Sequence, residues 1–85
     1  MRSRYGDDVN DEFEALFTEM IVQQRAKVLA VARTHHARLT EDDLLSPQDF
    51  PELVDDPRFN YEDGLLAGLI SAQIALRAQA RGRRV

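Results

Sequence analysis

Eighty-five residues with no cysteine and a net charge of −4 allow one small domain and exclude a disulfide framework and a thiolate metal site. A chain this short buries only a little more than about 60% of its unfolded surface, so association with a second copy would help it. The N-terminal run Met1-Arg2-Ser3-Arg4-Tyr5-Gly6-Asp7-Asp8 has no apolar stretch behind its arginines, which argues against a secretory signal and for a cytoplasmic protein.

Residues 1–9 are polar and read as a tail, residues 10–82 as a single helical domain, and residues 83–85 as a short basic end. From Asn10 the pattern turns helical: Asp11, Glu12 and Glu14 load a first turn with negative charge, as the helix dipole prefers. Phe13, Leu16, Phe17, Met20, Val28, Val31, His35 and Leu39 then recur at helical spacing, and neither glycine nor proline interrupts the run to Leu39. Gln24 sits at the centre of this apolar stripe. It is read first as a partly wet residue where the helix bends or leaves the core. The alternative is a buried polar residue that fixes register, against Gln73 or its own symmetry mate.

Residues 40–59 read as an ordered strap of short helical turns. Thr40 with Asp43 has the form of a capping box, Ser46-Pro47-Gln48-Asp49 repeats the device, and Pro51 opens a third turn closed by Asp55-Asp56-Pro57. Leu44, Leu45, Phe50, Leu53, Val54 and Phe59 are the expected anchors, and a disordered linker would not carry six large apolar residues.

The last helix is expected from Asn60, with Asn60 as its cap and Gly82 as its stop. Leu65, Leu69, Ala72 and Leu76 form one apolar stripe on it, Leu66, Ile70 and Ile74 a roughly opposite one, and Gly64, Gly68, Ser71, Ala75 and Ala78 a ridge of small residues between them. The uncharged run from Gly64 to Leu76 is too short for a membrane span, which takes about 20 residues. A helix greasy on opposite sides needs more cover than one partner helix supplies. The expectation is therefore an all-α fold: two long antiparallel helices joined by the strap, pairing as a dimeric four-helix bundle. The predicted interface residues are Leu66, Gly68, Ile70, Ser71, Ile74 and Ala75.

Charge is uneven: residues 39–63 carry nine acidic groups against Arg58 alone, and residues 64–85 carry four arginines and no acid. The acidic strap invites a divalent-metal hypothesis with His35, Asp42, Asp43, Asp49 and Glu52 as the candidates, but the spacing matches neither a calcium loop nor a zinc helix. No catalytic constellation and no cofactor are expected. The leading function is a small homo-oligomeric structural or protein–protein interaction module, with itself and an unidentified protein as partners, docked in the groove between strap and helices. A metal-dependent enzyme built on residues 41–56 with His35 is the rival. Weak nucleic-acid binding through the C-terminal arginines ranks third, because those arginines end an acidic protein.

Overall fold

The computed structural model of the chain describes the backbone of residues 2–83 and the side chains of residues 11–82. Helix α1 spans Arg2–Arg33 and helix α3 spans Pro57–Arg83; between them lie two single 3-10 turns, η1 at Asp43–Leu45 and η2 at Pro47–Asp49, and the one-turn helix α2 at Pro51–Val54. No strand occurs among the described residues. Gln24 meets Glu62 while Glu14 meets Arg77, so numbers rise along α1 as they fall along α3 and the two helices are antiparallel. The result is a hairpin of 52 × 19 × 18 Å, closed at one end by the strap. No helix among the described residues is long and apolar enough to cross a membrane.

Both ends of α1 depart from expectation. It begins at Arg2, upstream of Asn10; the stretch contains no proline, and Gly6 costs a helix only about 1 kcal/mol. It stops at Arg33, six residues short of Leu39, although nothing in the local sequence breaks a helix. The cause is tertiary. Leu39 turns back to bury itself against Val28 and Ala32, and the Arg33 Nε donates to the Leu39 carbonyl at 2.8 Å. The Thr34 hydroxyl donates to the Val31 carbonyl at 2.6 Å, which satisfies one of the carbonyls a helix end leaves open.

The strap is ordered largely as its caps require. The Thr40 backbone N–H donates to Asp43 Oδ2 at 2.9 Å, and the Asp43 N–H reaches back to Thr40 Oγ1 at 3.4 Å, the reciprocal exchange of a capping box. Pro47 and Pro51 each stand in the first turn of their element. Ser46 makes no side-chain cap; its backbone carbonyl accepts from Asp49 instead. Of the six expected anchors, Leu53 and Phe59 are fully buried, and Leu44 and Phe50 pack half-buried against them. Leu45 and Val54 are corrected: both face outward, Leu45 being 80% exposed.

The start of α3 is corrected as well. The cap is Asp56, whose Oδ1 accepts the Arg58 N–H at 2.8 Å, with Pro57 in the first helical position, where its missing N–H costs nothing. Asn60 lies inside the helix and donates its side chain to the Val54 carbonyl at 2.8 Å, tying α2 to α3.

The core sits at the closed end. Val28, Ala32, Leu39, Leu53 and Phe59 form it, with Leu29, Val31, Leu44, Phe50 and Leu66 packed around. Beyond that cluster, Ile21 is the one buried apolar side chain among the described residues. Among the described residues, the open part of the hairpin is an arm without a core cluster of its own.

Candidate functional site

Along the arm the inner line of α1 runs Glu14, Phe17, Ile21, Gln24 and Val28, and that of α3 runs Leu66, Leu69, Gln73, Leu76 and Ala80. Both step by three and four, the spacing of two antiparallel helices in long contact. Two of the positions are glutamines. Gln24, 6% exposed, donates to the Glu62 backbone carbonyl at 2.9 Å and to Glu62 Oε1 at 2.6 Å. Gln73, 8% exposed, donates to Glu14 Oε1 and to Thr18 Oγ1, each at 3.1 Å. Arg77 closes this second layer with its Nε 2.8 Å from Glu14 Oε1, and its guanidinium lowers the Glu14 carboxyl below the usual carboxylate range. Gln24 is thus buried, with its partner Glu62 and not Gln73. The partly wet alternative is not what the fold does.

Several of the apolar side chains that the arm does not take inside lie together on one outer face, whereas Val22 and Ile74, 60% and 58% exposed, stand on the other side of the seam. At about 100° per residue, Phe13, Leu16 and Met20 fall to one side of the inner line of α1. Leu65, Leu69, Ala72 and Leu76 fall to the same side of α3, the side on which Gln24 meets Glu62. Phe13 is 47% and Leu16 53% exposed, and Met20 and Leu65 are also exposed. Phe17, Leu69 and Leu76 are half-buried at the seam between the helices. Glu14, Glu19 and Arg77 leave the helices in other directions, and Glu62 and Lys27 border the patch toward the closed end.

The six residues expected at an interface divide differently. Leu66 packs on the core and Ile70 is half-buried within the chain, whereas Gly68, Ser71, Ile74 and Ala75 are exposed. A Cβ placed on Gly64 or Gly68 would meet nothing within 4 Å, so no close helix approach within the chain requires these glycines. Gly68→Ala should therefore stabilise the fold, by up to about 1 kcal/mol through helix propensity. Chemical denaturation at fixed protein concentration checks this, and a loss of stability would show that another chain presses on Gly68.

At the closed end, Asp56 gathers the junction. It is buried and holds three groups: the Arg58 N–H, the Arg58 guanidinium at 3.1 Å, and His35 Nε2 at 2.7 Å. The hydrogen bond from Arg58, then that from His35, hold its carboxyl far below the usual carboxylate range. Beside it, His36 Nε2 lies 3.3 Å from Glu52 Oε1, and the His36 ring tilts against Phe50 with 5.8 Å between centroids. The two histidines thus latch the end of α1 to the strap. Because the Asp56 pKa is depressed on folding, its stabilisation is present above the unfolded value near 4 and is lost as pH falls through the folded value. Stability measured by urea midpoint should fall from pH 5 to pH 2, and the slope should be shallower in Asp56→Asn, which keeps a capping side chain without the charge. Equal slopes would remove Asp56 from the acid transition.

These contacts also place the metal candidates. His35 is engaged by Asp56, Asp43 by Thr40, and Glu52 by His36, while Asp42 and Asp49 belong to different turns. No group of three or more histidine or carboxylate side chains converges among the described residues.

On the face opposite the apolar patch, η1 stands off the two long helices and leaves a half-open cleft of about 330 Å³. Val28, Leu44, Leu66 and Ile70 form its floor, Arg25, Glu41, Asp42 and Asp63 its rim, and Leu45 its lip. This is the groove between strap and helices expected from the sequence. The Glu14–Arg77 pair shows that the basic half of α3 lies along α1. The strap acids sit at the other end of the hairpin.

Compared with protein-family models, curated proteins and solved structures, the chain matches none.

Proposed function

We propose that this protein is a self-associating helical interaction module in which two copies pair through the outer apolar face of the arm, completing a four-helix bundle. The observation that carries the reading is the inversion along the arm. Gln24 and Gln73 are inside, and Phe13, Leu16, Met20 and Leu65 are outside. A pair of helices whose own seam is so polar lacks the burial that holds long helices together in water. Four of these exposed side chains, Phe13, Leu16, Met20 and Leu65, share one face, and a second copy presenting the same face meets it symmetrically.

Sedimentation equilibrium from about 1 to 100 µM tests it. The expected result is a species of twice the 9.7 kDa chain mass that dissociates on dilution. A mass of one chain across the range overturns the proposal.

A further inference from the structure

We infer that the cleft between α1, α3 and η1 is a docking site for a basic segment of another protein, one large apolar side chain flanked by lysine or arginine. The inference deepens the interaction-module reading. It uses the face opposite the self-association patch, so either can fail without the other.

Volume sets the first limit. A space of about 330 Å³ lies at the small end of the range of binding pockets, and it holds one or two large side chains rather than a helix. Chemistry sets the second. The floor of Val28, Leu44, Leu66 and Ile70 offers no polar side chain, so what enters it is apolar. Leu45, left 80% exposed at the lip, would gain cover from the same occupant. Charge sets the third. Glu41, Asp42 and Asp63 surround the mouth against Arg25 alone. None of the four forms an ion pair among the described residues, in contrast to Asp56 and Glu14, which are engaged within the chain. An apolar floor inside a net-negative rim selects a cationic flank around an apolar anchor and repels an acidic one.

The chain's own basic segment does not supply the occupant within one copy. From Asp63 to Arg81, α3 runs away from the cleft for about 27 Å at 1.5 Å per residue.

The test uses the full chain, labelled with nitrogen-15, and three short synthetic peptides. The first has a central Phe-Leu pair between Lys-Arg flanks, the second replaces Phe-Leu by Ser-Ser, and the third replaces the basic residues by glutamate. The first peptide is expected to shift the amides of Arg25, Leu44, Leu45, Asp63 and Ile70 saturably. The second should bind at least about tenfold more weakly, and the third should not bind. Asp63→Asn, a change at the half-buried rim that leaves the floor intact, should weaken the first peptide several-fold and reduce its salt dependence. The inference is overturned if the first two peptides bind equally, or if shifts spread over the acids of α1 such as Asp11, Glu12 and Glu19. No binding of the first peptide at about 1 mM also overturns it. Cleft amides that move with protein concentration alone would give the cleft to a second copy and overturn it too.

Discussion

Phe59→Ala is expected to leave most of the chain unfolded at 37 °C. Phe59 is fully buried where the first turn of α3, the strap and the end of α1 meet. Removing a buried phenylalanine ring costs about 3–5 kcal/mol, through lost transfer energy and the cavity left behind. A small domain has only about 5–15 kcal/mol of stability in total, and a chain of this length sits toward the lower end. Little else could take up the loss, because Ile21 is the sole buried apolar residue of the arm among the described residues. Far-UV circular dichroism at 37 °C and a thermal melt read the effect directly. Phe59→Leu, which keeps most of the volume, should remain folded with a lowered Tm. In the proposed dimer unfolding is coupled to dissociation, so the alanine variant should recover some helix as its concentration rises. A Phe59→Ala melt within a few degrees of wild type would mean that the closed end is not what holds the molecule together.

Local signals were legible in proportion to how local their causes are. The capping box at Thr40 and Asp43, the prolines at 47 and 51, and the burial of Leu53 and Phe59 follow from short-range stereochemistry and patterning, and the structure reproduces them. The end of α1 was not legible, because Thr34-His35-His36 has no helix breaker and what stops the helix is the burial of Leu39 against residues that arrive later in the chain. The start of α3 was readable in principle. Asp56-Pro57 is a cap followed by a first-turn proline, but the same proline also serves as a stop for the preceding turn, and that role was given precedence. Ile21 and Ala32 were missed for a geometric reason. The apolar residues of α1 cover a wide arc, and only the position of α3 decides which edge of the arc becomes the seam. With the seam shifted toward Ile21 and Ala32, Phe13, Leu16 and Met20 moved from the expected core to the outer face. On α3 the two expected stripes likewise flank the seam instead of lying opposite one another across the helix. Gln24 was visible as an anomaly at the stripe centre, yet its partner lay 38 positions away and no pattern in the sequence names Glu62.

The outer face leads to the second large effect: Leu16→Glu should convert the proposed dimer to a monomer without unfolding the closed end. In a single chain Leu16 is 53% exposed, and an exposed helix position tolerates glutamate, a good helix former, within about 0.5 kcal/mol. In a face-to-face pair the same position is covered twice, once on each copy. Each substitution then removes about 1–2 kcal/mol of apolar burial and adds the cost of desolvating a carboxylate opposite leucine and phenylalanine. The dissociation constant should rise at least about 100-fold, since each 1.4 kcal/mol is a factor of ten. Hydrogen exchange should show where the loss falls. Amides of the arm, around Phe13 to Met20 and Leu69 to Ala80, should lose protection, while those near Val28, Leu53 and Phe59 keep theirs. Ile74→Glu supplies the control, because Ile74 is also exposed but lies on the other side of the inner line. It should leave the wild-type mass and the protection of the arm unchanged. If Ile74→Glu dissociates the pair and Leu16→Glu does not, the second copy sits on the cleft side of the hairpin and the outer apolar face remains open to a different partner.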